Sequence, residues 1–350
     1  MTKVLQKTAL YNVYKQAGAR CIEFAGYEMP AWFSSMKEEH LAVRKHAGVF
    51  DISHMGIFHI SGAGSDAFMQ RLSTNSVSKA LHSKMIYSMF LNESGMILDD
   101  VMFGKFNDVW HLIVNGSNKE KISSWMNSHK PADVDISYKN PTHSLIAVQG
   151  PNAAQVLDKL LDSPVSNIGR FNIASTKFNS IDVLACRTGY TGEDGFELMI
   201  EHNEVEKLFN TLIQNGVTPC GLAARDTLRI EFGLPLYGQE LSEEIHPLMT
   251  RYKWVVKFDE DFIGKDALLK LKEQNHLQAV GLELAEPLIA RPSYKISQGG
   301  HISSGTLSPI SQKSIALAFV PKQFSEIGSE LDVKIRKKQV TAKVVKVPFL

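Results

Sequence analysis

Between Arg187 and Glu197 the chain reads RTGYTGEDGFE, with three glycines at spacing three (Gly189, Gly192, Gly195) beside three acids (Glu193, Asp194, Glu197). Glycine-rich loops commonly cradle phosphate. The dinucleotide fingerprint, however, needs GxGxxG closing a strand and opening a helix, with amides that present positive potential. Here the spacing is GxxGxxG, strand-like runs flank it on both sides (SIDVLAC before, FELMIE after), and the carboxylates repel phosphate. A carboxylate at the mouth of a glycine loop suits a partner with adjacent N–H donors: an arginine, or the amidine-like edge of a pterin or purine ring. Residue types leave a second reading open, a solvated hairpin whose acids face water.

The second constellation is Asp99-Asp100 within MILDDVMF. In a strand, Met96, Leu98 and Met102 share a face with Asp100, while Ile97, Val101 and Phe103 share one with Asp99. At least one carboxylate therefore points into apolar surroundings, where burial is costly unless compensated. Adjacent strand residues face opposite ways, so only one of the two can act on a given substrate atom. An edge-strand aspartate near a turn is the plainer alternative. Arg225 and Arg229 fall four apart on a helical stretch, placed to reach a ligand carboxylate or to pair with acids at the surface. His54, in SHM, has no HxH or HxxE neighbour, and Cys21, Cys186 and Cys220 show no ligand spacing, so a metal site is not expected. There is neither a GxSxG elbow nor a P-loop.

The elements that must position these residues follow a repeat. IFHISGAGSDAFMQRLS (57–73) aligns with LIAVQGPNAAQVLDKLL (145–161) when Gly62 is set on Gly150, each reading as strand, tight turn, helix. After the first unit come the hairpin MIYSMFLNESGMILDDVMFG, the strand VWHLIVN and the helix NKEKISSWMNSH. After the second come FNSIDVLACR, the glycine loop, FELMIE and the helix EVEKLFNTLIQNG. A helix over 222–232 is stopped by Gly233 and Pro235, and DFIGKDALLKLKEQ holds one more short helix. From about Leu277 the pattern becomes short strands (QAVGLELA, SYKIS, SIALAFV, DVKIRKKQVTAKVVKV), a small barrel-like β domain. The fold class is α+β, two related α/β subdomains plus a C-terminal β-barrel-like domain.

With 44% hydrophobic residues in 350, the chain can fill two or three cores. The 38 basic and 37 acidic residues give no overall field for nucleic acid or an anionic membrane. No run approaches the roughly 18 apolar residues that span a bilayer, and the N-terminus reads as no targeting leader. The expectation is a soluble cytoplasmic protein without nucleic-acid or membrane partners.

FAGYEMP, EEHLAVR, FDISHMG, LNESG…LDD, VN with NKEK, AVQGP, RTGYTGEDGFE, GLAARDTLRIE, PLYGQEL and KSIALAFV occur in one order along nearly the whole chain. Together they resemble the aminomethyltransferase family, the T-proteins of the glycine cleavage system. The resemblance implies a three-domain, cloverleaf-like fold around a tetrahydrofolate cavity. It divides the chain into interleaved folate-binding subdomains over 1–50 and 140–275, a subdomain with the catalytic aspartate over 51–139, and a barrel over 276–350. It implies transfer of the one-carbon unit of an aminomethyl-dihydrolipoyl H-protein to tetrahydrofolate, with release of ammonia and formation of 5,10-methylenetetrahydrofolate. Tetrahydrofolate is then the acceptor substrate, no metal is required, and the lipoylated H-protein is the partner. The family's catalytic aspartate falls on Asp100 and its folate-binding positions on Glu197 and Arg225, with Met55, Tyr87, Asn115 and Tyr190 lining the same cavity. The loop glycines would let backbone approach a flat ring, and the loop would occupy in the second repeat the place that the LNESG hairpin holds in the first, so that the two carboxylates meet across one cleft. Glu193 and Asp194 are left as loop acids. Tyr27 stands where the family has Trp, Met96 where it has Gly, and in PLMTRYKW Met249 and Arg251 replace Glu and Gly. Two other folate proteins remain as alternatives: a demethylase of the same fold acting on a small sulfonium or amine, and a non-catalytic assembly factor. The latter's reactive cysteine is absent from GLPLYGQE.

Overall fold

The computed structural model describes residues 4–350. In chain order the elements are α1 (Tyr11–Gln16), β1 (Arg20–Phe24), β2 (Tyr27–Trp32), α2 (Met36–Lys45), β3 (Gly48–Asp51), β4 (Gly56–Ser61), α3 (Ser65–Leu72), β5 (Ile86–Leu91), β6 (Ile97–Phe106), β7 (Val109–Val114), α4 (Lys119–His129) and β8 (Asp135–Tyr138). Then follow β9 (His143–Gln149), α5 (Ala153–Leu160), β10 (Ile173–Phe178), β11 (Ile181–Cys186), β12 (Gly195–Glu201), α6 (His202–Gln214), β13 (Thr218–Pro219), α7 (Leu222–Phe232), α8 (Lys265–Lys272), β14 (Leu277–Leu284), β15 (His301–Leu307), β16 (Ser314–Pro321), β17 (Glu330–Ile335) and β18 (Lys338–Val345). The chain divides into two compact units. The first takes the chain up to Phe68, Val77–Ile86 and Val101–Asp226; the second takes Met69–Ser76, Tyr87–Asp100 and Thr227–Leu350.

The repeat is visible in the sheets. β4 runs through Gly62 (φ +108°) towards α3, and β9 through Gly150 (φ +128°) towards α5. A Cβ at Gly62 would lie 2.1 Å from the Asp133 carbonyl oxygen, and one at Gly150 would lie 2.5 Å from that of His46, so both turns demand glycine. The strand orders β5-β6-β7-β4-β8 and β10-β11-β12-β9-β3-β13 share one plan, in which the third strand after the helix returns antiparallel beside the strand before it. β5, β6 and β7 thus correspond to β10, β11 and β12. This corrects one expectation: LNESG joins β5 to β6, whereas the glycine loop joins β11 to β12, so the two loops are not equivalents. The sequence reading missed β10, IASTKF, whose Ser and Thr interrupt the apolar alternation that marks a strand.

In the first unit α1, α5 and α6 bury their apolar faces on the six-stranded sheet. Val205, Leu208, Phe209 and Leu212 of α6 pack with Leu157, Val148, Phe196 and Leu198, each such side chain contributing about 1.5–3 kcal/mol on burial. Gly216 (φ +83°) ends α6 as its spacing predicts.

In the second unit β15-β16-β14-β18-β17 form an antiparallel sheet. SYKIS is not a full strand. It makes single bridges, Lys295 to His301 and Ile296 to Val333, and so ties the β15 edge to the β17 edge. β15 itself, HISSGTL, was not legible because its serines carry no apolar alternation. Arg251, where the family resemblance expects glycine, turns inward: Nη1 donates to the Gly233 carbonyl at 3.2 Å and Nη2 to that of Val347 at 3.2 Å. Arg251→Ala is expected to lower stability by about 1–3 kcal/mol, read as a lower denaturation midpoint at unchanged slope. An unchanged midpoint would mean that desolvating the guanidinium cancels both bonds.

Candidate active site

In the first unit β11 and β12 pair antiparallel with Cys186 opposite Glu197, which makes 187–194 a hairpin connection. Glu197 is half-buried, and Thr188 Oγ1 donates to its Oε2 at 2.5 Å. Arg225, in the first turn of α7, lies over Tyr190 with its guanidinium carbon 4.6 Å from the ring centroid. Its Nη1 is buried without a hydrogen-bond partner among the described residues. Burial holds the Arg225 pKa below the usual arginine range, while Tyr190 and Glu197 push it back up. Tyr190, Arg225 and Glu197 thus form one electrostatic group.

The start of α7 is fixed by Glu39, a fully buried residue of the EEHLAVR motif. Its Oε2 accepts from the Gly221 amide at 2.8 Å, and its Oε1 accepts from the amides of Phe33 at 2.5 Å and Ser34 at 3.0 Å. Burial raises the Glu39 pKa, and the three amides oppose it. His54 is buried in the same unit. Burial, then Arg225, then Lys119 push its pKa down to about 3, so the imidazole is neutral. Met55 and Asn115 also lie in the first unit, both half-buried. The Met55 carbonyl accepts from Asn140 Nδ2 at 2.6 Å, and the Asn115 carbonyl from the Asn118 amide at 2.9 Å.

The glycines answer to an interior side chain. A Cβ at Gly189 would lie 1.8 Å from Gln149 Oε1, and one at Gly195 would lie 2.5 Å from Gln149 Nε2. Two of the three therefore make room for a buried glutamine, a constraint that residue types alone did not show. The loop acids do not simply face water either. Arg44 Nη1 donates to Glu193 Oε1 at 2.9 Å, and Arg187 grips Asp194 with Nε at 3.0 Å and Nη2 at 2.7 Å. The Arg187 contact holds Asp194 below the usual carboxylate range.

In the second unit β6 buries Asp99 completely and leaves Asp100 half-buried. Tyr87 donates its hydroxyl to Asp100 Oδ2 at 3.0 Å. The Tyr87 ring is flanked by Tyr252 (centroids 5.5 Å apart) and Trp254 (6.4 Å apart). Burial, with Arg251 opposing, raises the Tyr252 phenol pKa, so its hydroxyl stays protonated and donates to the Gly233 carbonyl at 2.9 Å. Of the seven residues that the sequence singles out, five lie in the first unit and two in the second.

The model of the GCVT N-terminal domain matches residues 10–260, and that of the glycine cleavage T-protein C-terminal barrel domain matches 278–350. An aminomethyltransferase of Geobacillus sp. (strain WCH70) is 42% identical over 99% of this chain and 99% of its own length. One of Bacillus velezensis is 42% identical over 99% and 98%. The chain belongs to the glycine cleavage T-protein family. The crystal structure of glycine cleavage system aminomethyltransferase T from Bartonella henselae matches with a TM-score of 0.93 at 28% identity, covering 99% of this chain and 98% of that one. For a T-protein of this fold, the β sheet tied edge to edge by the SYKIS segment is the barrel domain.

Among the described residues of this T-protein, no cluster of three or more His, Cys, Asp or Glu side chains could hold a metal, and no helix is long and apolar enough to cross a membrane. Sequence reasoning missed Thr188, Gln149, Tyr252 and Trp254 as neighbours of the site residues. Thr188 sat inside the glycine loop and Gln149 one residue before Gly150, where a buried polar side chain at a strand end was the available signal.

Proposed function

We propose that this T-protein transfers the one-carbon unit of an aminomethyl-lipoyl carrier protein to tetrahydrofolate, with Glu197 gripping the pterin and Asp100 serving the chemistry. The observation that carries the reading is the Glu197 group. Its carboxylate has one oxygen bonded to Thr188 and lone pairs left to accept from the pterin N3–H and 2-amino group, with the Arg225 cation close by. Tyr190, Met55 and Tyr87 offer apolar or stacking surface, and Asn115 a polar contact. Asp100, oriented by Tyr87, assists proton movement at the ring nitrogens while N5 attacks the methylene carbon. The carbon forms bonds to N5 and N10 as its bonds to nitrogen and to the lipoyl sulfur break, and the protons lost from N5 and N10 end on the departing ammonia and on the dihydrolipoyl thiol. A positioned carboxylate suffices, because the ring nitrogens are weakly basic.

Calorimetric titration with tetrahydrofolate tests the pterin role. Glu197→Ala is expected to weaken binding by about 10- to 100-fold, the loss of a charge-assisted contact. Wild-type affinity in that variant would remove Glu197 from the site.

A further inference from the structure

A single hydrogen-bonded chain runs beneath Glu197 from the end of β9. Gln149 is fully buried. Its Nε2 donates to the Thr188 carbonyl at 3.0 Å, and its Oε1 accepts from Thr191 Oγ1 at 3.0 Å. Thr191 Oγ1 in turn accepts the Glu193 amide at 3.2 Å, so one side chain pins both arms of the glycine loop. Thr188, itself buried, passes that constraint on: its hydroxyl donates to Glu197 Oε2 at 2.5 Å, the only hydrogen bond that Glu197's side chain makes among the described residues.

We infer that Thr188 and Gln149 are positioning residues for the ligand contact made by Glu197. Thr188 fixes the carboxylate, and Gln149 fixes Thr188. A glutamate side chain turns about three bonds, and ordering it costs up to about 2 kcal/mol of rotamer entropy. A donor that holds Oε2 in the free protein meets that cost before the ligand arrives, while the carboxylate keeps capacity to accept further bonds. The loop sequence is organised around this chain. Gly189 and Gly195 lack side chains where any Cβ would strike the Gln149 amide, and a loop built only to bring acids to the surface would have no need of a glutamine in its mouth.

The inference rests on the role proposed for Glu197, so Glu197→Gln is measured in parallel. Thr188→Val removes the hydroxyl at nearly constant volume. It is expected to raise KM for tetrahydrofolate about tenfold, the effect of one lost hydrogen bond. kcat is expected to stay within about twofold, because the interaction is made equally in ground and transition states. Thr188→Ser should restore the wild-type KM, and Gln149→Met should raise KM as Thr188→Val does while lowering the melting temperature, because it leaves the Thr188 carbonyl and the Thr191 hydroxyl without their buried partner. If Thr188→Val fails to fold, Thr188→Ala is read in the same way. A lowered melting temperature with unchanged KM would make the chain merely structural and overturn the inference. If Glu197→Gln raises KM and Thr188→Val does not, the positioning role fails while the reading of Glu197 stands. If Glu197→Gln leaves KM unchanged, the reading of Glu197 fails and the inference falls with it.

Discussion

Asp100→Asn is expected to bind tetrahydrofolate as the wild type does and to lose about 10²–10⁴-fold in turnover, the range over which a positioned acid or base contributes. Asparagine keeps the shape of aspartate and can still accept the Tyr87 hydroxyl that the carboxylate accepts at 3.0 Å. It cannot take up a proton at neutral pH, so the substitution separates orientation from proton transfer. Tyr87→Phe is the complement: it removes the orienting donor and leaves the carboxylate, so its loss in turnover should be smaller. Single-turnover measurement with saturating carrier protein distinguishes chemistry from binding. An Asp100→Asn enzyme that turns over normally would move the catalytic role elsewhere, and the fully buried Asp99 would be the next residue to examine.

Arg229→Ala should destabilise the second unit by about 3–5 kcal/mol, the cost of leaving one member of a buried ion pair alone. Arg229 is 2% exposed. Its Nη1 donates to Glu240 Oε2 at 2.8 Å and to the Leu234 carbonyl at 3.2 Å, and its Nη2 donates to Ser304 Oγ at 2.7 Å. Without the arginine, Glu240 Oε2 keeps, among the described residues, the Leu236 amide at 3.0 Å as its hydrogen-bond partner. The double variant Arg229→Met with Glu240→Leu should recover most of the loss, because a well-packed apolar pair replaces a buried ion pair at little cost. Denaturant unfolding of both variants reads this directly. A single variant that loses less than about 1 kcal/mol would mean that the pair is solvated in solution.

Arg225 and Arg229 show how far the sequence reaches. Their spacing placed them on one helical face, and Gly233 with Pro235 marked the end of α7 at Phe232, as found. Spacing did not distinguish their tasks. Arg229 is absorbed by Glu240 and Ser304, the latter on a strand whose serines conceal it, while Arg225 keeps a buried Nη1 without a hydrogen-bond partner among the described residues. The Asp99-Asp100 pair is similar. Both faces of β6 read as apolar, so parity alone could not choose between them; the structure buries one entirely and gives the other a tyrosine donor. In the glycine loop, Glu193 and Asp194 acquire arginine partners from α2 and from the loop's own start. Such pairings depend on strand register and on contacts some 150 positions apart, as from Arg44 to Glu193. Local periodicity carries no record of them.

The most direct test supplies purified protein with tetrahydrofolate and a carrier protein bearing an aminomethyl-lipoyl arm, and follows ammonia and 5,10-methylenetetrahydrofolate together. Equimolar formation of both is expected, dependent on the carrier and on tetrahydrofolate, and nearly abolished in Asp100→Asn. Failure to form either product with a competent carrier, or methyl transfer from a small sulfonium or amine without it, would contradict the account.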